Sequence, residues 1–272
     1  MKLDNSIQIY KGNSQWKGKV YWADTLIWPV SGVDYCSQYL TLEAAESGVT
    51  SSLWFIDSAG AEITDMDIEF SKNNGAWTHY VSATTAEKSV SYGDKIRVRG
   101  LNNNYSIGCH LLIAPNGYKI YGNIMSLVYG DSFEGKLSLP SGCGFSLLFS
   151  AHLFGPDPMP FDAVKCLDIS NVCLPATALT EECYTFMFSG HQYITKAPLL
   201  PASYVPSKAY RDMFYSCSNL NMVECLATSW ESNSFSSWLN GVSQTGTFVK
   251  HPNAVWATGG DGIPSGWTVV NG

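Results

Sequence analysis

Three positions in the C-terminal half hold side chains able to bind a metal and share one register. Cys217 follows His191 at an offset of 26, and His152 precedes His191 at an offset of 39. Both offsets recur among the surrounding apolar residues, so the three side chains are expected to neighbour one another in a stack. The ladder reads either as a metal site or as a column of small, partly buried polar groups. The column is favoured, because a buried Cys behaves as a small hydrophobe. Asp65, Asp67 and Glu69 alternate along a strand and share one face. That pattern suits a solvated face, or calcium at Asp65 and Asp67, better than a glycosidase, whose two carboxylates stand across a cleft. His79, His110 and His251 have no Ser, Cys or carboxylate at a telling spacing. There is no G-x-S-x-G, H-E-x-x-H, C-x-x-C or phosphate-binding glycine loop, and Gly259-Gly260-Asp261-Gly262 reads as a turn. No catalytic residue, metal or cofactor is assigned, and the chain is read as non-enzymatic.

The eight cysteines are Cys36, Cys109, Cys143, Cys166, Cys173, Cys183, Cys217 and Cys225. An even count invites a disulfide framework, but that inference belongs to small secreted chains. These cysteines follow strand and repeat registers, so they are expected to be mainly free thiols.

The elements that must position these side chains show most clearly in a repeat. Leu174-Pro175-Ala176-Thr177, Cys183-Tyr184 and Met187-Phe188 recur at a period of 26 as Leu200-Pro201-Ala202-Ser203, Ala209-Tyr210 and Met213-Phe214. Trp238-Leu239 falls where the next Met-Phe is due, with Leu239 taken one such period after Met213. Upstream, Phe145, Leu148 and Phe149 match Tyr184, Met187 and Phe188 at an offset of 39, one period plus an insertion of 13. The insertion is placed around Gly155–Pro160, whose prolines do not fit a regular ladder. A fixed period with matched apolar anchors is the mark of a solenoid. Tyr and Met-Phe recurring at three and four residues suggest a short helix in each unit.

Residues 36–116 read as all-β. Leu40 and Leu42 alternate with Thr41 and Glu43; Met66, Ile68 and Phe70 with Asp67, Glu69 and Ser71; Ile96 and Val98 with Arg97 and Arg99. Period two with polar partners implies half-buried antiparallel strands. Asn74-Gly75 favours a tight hairpin, since both residues accept positive φ. At the N-terminus, Ile9–Ser14 aligns with Val20–Thr25 at a period of 11, each half a short strand and polar turn. Met1–Ser6 runs into strand-like Ile7–Tyr10 without a signal-peptide pattern. No stretch approaches the ~20 apolar residues of a membrane span.

Charged residues make up only 14% of the 272, and aromatics reach 13%. That balance points to a β-rich extracellular or virion surface protein. The net charge is −7 with no Lys/Arg cluster, which argues against nucleic acid, whose phosphates need a basic stripe.

The strings "LPATALTEECYTFMFSGHQYITKAPLLPAS" and "YRDMFYSCSNLNMVECLATSW" resemble the BspA-type leucine-rich repeats of gut bacterial surface proteins. "SSWLNGVSQTGTFVKHPNAVWATGGDGIPSGWTVVNG" resembles their terminal cap, and "YGNIMSLVYGDSFEGKLSLP" their lead-in. The N-terminal segment is similar to short modules in structural proteins of tailed phages. The expected fold is therefore mainly β: an N-terminal β-hairpin attachment module (1–34), an antiparallel β-sandwich (35–117), and a BspA-like leucine-rich-repeat solenoid with a C-terminal cap (118–272). The resemblance implies a phage virion surface protein, a head fibre, tail fibre or decoration, that presents a surface for host attachment. The alternative is a bacterial cell-surface adhesin or carbohydrate-binding module lacking its export signal. Expected partners are other virion proteins through the N-terminal module, a host-surface glycan or protein, and further copies of the chain, with no nucleic acid and no membrane insertion. Tyr10, Trp16, Tyr21, Trp22 and Trp28 are the candidate attachment residues. Trp77 and Tyr80 beside Asn73 and Asn74 form one candidate binding rim, and Tyr193 with Asn219 another.

Overall fold

The computed structural model describes residues 20–22, 25–28, 33–45, 49–51, 53–56, 61, 63–64, 66–82, 88–102, 105, 110–113, 117–151 and 165–272. The chain divides into two compact units, Met1–Tyr35 and Cys36–Gly272. In the first, β1 (Val20–Trp22) pairs antiparallel with β2 (Thr25–Trp28) as a bulged hairpin. The other half of the short N-terminal repeat lies outside the described residues, as does the insertion at 155–160.

The second unit is mainly β, with antiparallel sheets. Its strands begin with β3 (Leu40–Ala44), β4 (Val49–Ser51), β5 (Leu53–Ile56), β6 (Ile68–Lys72), β7 (Thr78–His79), β8 (Lys88–Val90), β9 (Lys95–Gly100) and β10 (His110–Ile113). They continue through β11 (Tyr118–Asn123), a one-turn helix α1 (Ser126–Tyr129) and β12 (Cys166–Cys173). A six-stranded sheet runs in the order β12-β11-β3-β9-β6-β7, antiparallel except for the parallel pair β11–β12. Period two decides its faces: Leu40, Leu42, Ile68, Phe70, Ile96, Val98 and Ile120 are buried, while Thr41, Arg97 and Ser71 align across the opposite face. The buried hydroxyl of Ser126 in α1 accepts from Leu40 N–H at 3.1 Å and donates to the Val98 carbonyl at 2.9 Å, fixing the helix on the sheet. At Gly122 the backbone takes φ +91°, and a Cβ would stand 2.1 Å from the Tyr39 carbonyl, so only glycine fits.

The repeat register lies in hydrogen bonds between units. Tyr184, Phe186 and Phe188 donate their N–H groups to Ala209, Arg211 and Met213 of the following unit. Tyr210, Asp212 and Phe214 donate likewise to Ser234, Ser236 and Trp238, and Phe145, Leu147 and Phe149 to Cys183, Thr185 and Met187. The intervening amides of Thr185, Met187 and Ser189 bond back three residues. These segments are thus ribbons of turns, not the short helices expected from the spacing. The reason is local: every fourth residue is left-handed, as at Glu182, Phe186 and Gly190 and again at Lys208, Asp212 and Ser216. Left-handed residues cannot propagate a helix, and they leave alternate amides for the neighbouring unit. The offset of 39 holds for the upstream unit. The last step is one position shorter than the period, because Trp238, not Leu239, takes the place of Met213. The placement of Leu239 there is corrected by one.

The interior of the stack follows from this register. Phe145, Tyr184 and Tyr210 form one column of parallel rings and Phe149, Phe188 and Phe214 a second, with centroids 5.6–6.1 Å apart. Outside the ribbons, units join through short parallel strands: β13 (Tyr204–Val205) with β15 (Ser229–Trp230), and β14 (Met222–Cys225) with β16 (Gly246–Lys250) and β17 (Trp267–Asn271). Trp230, Phe235, Trp238, Phe248 and Trp256 close the far end as one aromatic cluster. Sheet and stack share a continuous hydrophobic core.

Cys36 and Cys173 form a disulfide, with Cα atoms 5.3 Å apart across 137 residues of sequence. Most of the described cysteines are free thiols, as expected, and this one pair is the exception. The pairing arises because β12 runs parallel to β11 and ends at Cys173, opposite Asn123. The Asn123 side chain in turn donates to the Cys36 carbonyl at 2.8 Å. Cys143, Cys166, Cys183, Cys217 and Cys225 are free and buried, and Cys109 lies outside the described residues.

Candidate binding site

The solvent-side face of the six-stranded sheet gathers charge and aromatic rings. Arg99 pairs with Glu69 at 2.7 Å and Asp131 at 2.5 Å, and its guanidinium lies 4.2 Å from the Trp77 ring centre. Tyr39 donates its hydroxyl to Asp131 at 2.8 Å. Burial, then the Asp131 carboxylate, raises the Tyr39 pKa, and the bonds from Tyr39 and Arg99 hold the Asp131 carboxyl down. Arg97 stands over both Tyr39 and Trp77 and donates to the Ser71 hydroxyl at 3.0 Å. Two guanidinium groups and the Tyr39 edge contact therefore occupy Trp77. The arrangement fastens β3, β6, β7 and β9 together, with the Trp77 ring engaged in holding the sheet. Glu69 is held in that network, so the expected acidic row is not a free cluster; Asp65 lies outside the described residues.

The first expected rim separates. Asn73 and Asn74 take φ +50° and +61°, so the hairpin turn sits one residue earlier than Asn74-Gly75. The Asn73 side chain is occupied, donating to Asp94 at 2.7 Å and accepting from Lys95 N–H at 2.9 Å. Tyr80 is wholly buried, with its hydroxyl accepting from Phe55 N–H at 3.3 Å. It points into the core, away from Trp77, and is removed from the rim. On the stack, Tyr193 is 47% exposed with the Lys165 ammonium 5.4 Å above its ring. Asn219 is exposed and donates to the Gln192 carbonyl at 2.6 Å, which places it beside Tyr193 in the chain's fold. Tyr10 and Trp16 lie outside the described residues; Tyr21, Trp22 and Trp28 lie on the β1–β2 backbone hairpin, and their side chains are outside the description.

His191 and Cys217 make equivalent bonds one unit apart. The His191 Nε2 lies 2.5 Å from the Phe149 carbonyl, and the Cys217 thiol donates to the Phe188 carbonyl at 3.1 Å. Both are buried and act as polar rungs between units. His152 lies outside the described residues, and among the described residues no three His, Cys, Asp or Glu side chains group as a metal site.

A groove of about 610 Å³ opens at the far end of the stack, between the ribbon end at 237–244 and the loop at 259–266. Asn240, Gln244, Asp261 and Ser265 line it without being buried. Two indoles fix its walls: Trp238 donates to the Gly262 carbonyl at 3.1 Å and Trp267 to the Ser243 carbonyl at 2.8 Å. Asp261 is oriented by Ser237 N–H at 2.9 Å and the Ser236 hydroxyl at 3.3 Å. The sequence marked this place only as a glycine turn; the groove needs the ribbon brought against it, which no local signal states.

No family model, curated protein or solved structure matches the chain. Among the described residues, no helix is long and apolar enough to cross a membrane.

Proposed function

We propose that this chain is a non-enzymatic surface protein of a phage particle, a head fibre, tail fibre or decoration, that displays a binding surface toward the host. In this reading the mainly β chain combines a β-sandwich with a BspA-type leucine-rich-repeat solenoid. The N-terminal unit attaches to other virion proteins or to further copies of the chain, and the stack faces a host glycan or protein. The observation that supports it is the stacked ribbon array with its two ring columns. Such an array uses its interior side chains to hold units together, so its outer loops are what it offers to a partner. Mass spectrometry of virions purified from lysates of cells carrying this gene tests it. Stoichiometric recovery with capsid or tail proteins is expected, and absence from the particles rejects it.

The Cys36–Cys173 disulfide favours a second reading, a bacterial cell-surface adhesin or carbohydrate-binding module. An exported chain folds in an oxidising compartment, whereas a virion protein assembled before lysis folds in a cytoplasm that keeps thiols reduced. Recovery of the chain in the bacterial envelope fraction, and not in particles, selects this alternative.

A further inference from the structure

We propose that the groove at the far end of the stack is a binding site for a neutral saccharide. Its volume of about 610 Å³ is that of a small-ligand site. Its chemistry narrows the ligand. Among the described residues, Asp261 is its sole ionisable side chain, with no Lys, Arg or His along the lining to meet an anion. Its apolar lining side chains are Leu239, which is buried, Val242 and Pro264, too little for an apolar ligand to gain much by burial. What the lining does offer is neutral hydrogen-bonding capacity. The Asn240 and Gln244 amides each present donors and an acceptor, Ser265 a hydroxyl, and the glycine loop its bare peptide groups. A carboxylate has about four acceptor positions. Asp261 accepts two bonds from within the protein, so capacity remains for the two hydroxyls of a vicinal diol. Adjacent hydroxyls that both donate and accept are the mark of a sugar ring.

The groove is also shaped in advance. Gly259 and Gly260 take φ +78° and +55°, and a Cβ on either would meet nothing within 4 Å. Their backbone conformation, not crowding, requires glycine, and the space above them is open. With both walls tied by indole N–H groups, little ordering cost falls on the binding step.

The proposal names a ligand class within the surface-display reading and rests on it only there, since it is tested on the purified chain. A display protein that binds host protein would lose this proposal and keep the other. The experiment follows indole and glycine amide resonances of the full chain during titration. The probes are maltotriose, cellotriose, mannotriose and triacetylchitotriose, with trigalacturonate and triglycine as comparators, each to about 10 mM so that millimolar binding is seen. At least one neutral trisaccharide is expected to shift the Trp238 and Trp267 indole signals and the Gly259 and Gly260 amides. Trigalacturonate should bind less well, because Asp261 repels it. Asn240→Ala with Gln244→Ala should weaken binding about tenfold, with near-ultraviolet circular dichroism unchanged, and Tyr92→Ala, an exposed ring on the turn before β9, should leave it unaltered. If the double variant fails to fold, Gln244→Ala alone is read, with a loss of about threefold or more expected. No shift from any neutral sugar, tighter binding of trigalacturonate or triglycine, or undiminished binding by the folded variant overturns the proposal.

Discussion

The phenol ring of Tyr184 lies flat against that of Tyr210 in the next unit, with centroids 6.0 Å apart and planes 10° from parallel. Both are wholly inside the stack, and burial raises both phenol pKa values well above the ordinary range. The Tyr184 hydroxyl is buried without a hydrogen-bond partner among the described residues, so the ring and not the hydroxyl stabilises the column.

Tyr184→Phe should therefore leave stability unchanged or raise it by about 1 kcal/mol, as a desolvated hydroxyl is removed. Tyr184→Ala should cost about 3–5 kcal/mol, because the flanking rings cannot close the gap. Urea unfolding checks both. A loss of stability in Tyr184→Phe would mean that the hydroxyl is held.

Thiol titration of the denatured, unreduced chain should recover six of the eight cysteines, and all eight after reduction. In the folded chain, burial pushes Cys143 up to about 11 and Cys183, Cys217 and Cys225 up to about 12. Alkylation near pH 8 should then be slow until the chain unfolds, since the thiolate is the reactive form. Replacing Cys36 and Cys173 with Ser should lower stability by about 4–5 kcal/mol on the loop-closure argument.

Asp94 ties the β6–β7 turn to the turn before β9. Bonds from the Lys72 ammonium at 2.8 Å, the Ser91 N–H at 2.8 Å and the Asn73 amide at 2.7 Å hold its carboxyl down to about 2. The folded value lies below the unfolded one, so the stabilisation is complete above pH 4–5 and is lost as pH falls through about 2. Asp94→Ala should cost about 1 kcal/mol at pH 7 after allowance for solvent screening. The gap from the parent should narrow as unfolding is measured from pH 5 toward pH 2. A gap independent of pH would show that the charge is not what matters.

Residues 36–272 should fold without the N-terminal unit, which is a separate compact body. Residues 118–272 alone should not fold well, because β11 would lose its antiparallel partner β3 and bare one edge to solvent. Thermal unfolding of both fragments checks this: a cooperative transition is expected in the longer fragment and a broad or aggregating one in the shorter.

The stack was legible because like must meet like in an array. Tyr184 and Tyr210, or Met187 and Met213, occupy the same place in successive units, so their spacing is written in the chain. The shortened final step was hidden because Trp238 replaces Met213, and a change of residue masks a change of length. Recurrence at three and four residues serves ribbon and helix alike, and the left-handed residues that separate the two include Phe186 and Lys208, which do not announce themselves. Alternation placed Leu40, Ile68 and Val98 in the core. It did not resolve Tyr80 from Trp77, because the hairpin turn begins at Asn73 and the short β7 keeps no long period. The Cys36–Cys173 pair depends on β11–β12 alignment, a contact across 137 residues that no local pattern reports. The groove likewise exists only between segments.

The disulfide also decides how the chain bears tension. Cys36 is the first residue after the N-terminal unit, and Cys173 stands at the end of β12, just ahead of the regular repeats. Pull from the N-terminal unit therefore crosses one sulfur–sulfur bond and enters the repeats directly. The sheet strands between the two cysteines sit on a slack loop outside the load path. Oxidised chains stretched from both ends should never release the 137-residue segment. Reduced chains should release about 470 Å more length. A chain held at both ends would keep its folded sheet intact while the strain falls on the repeats.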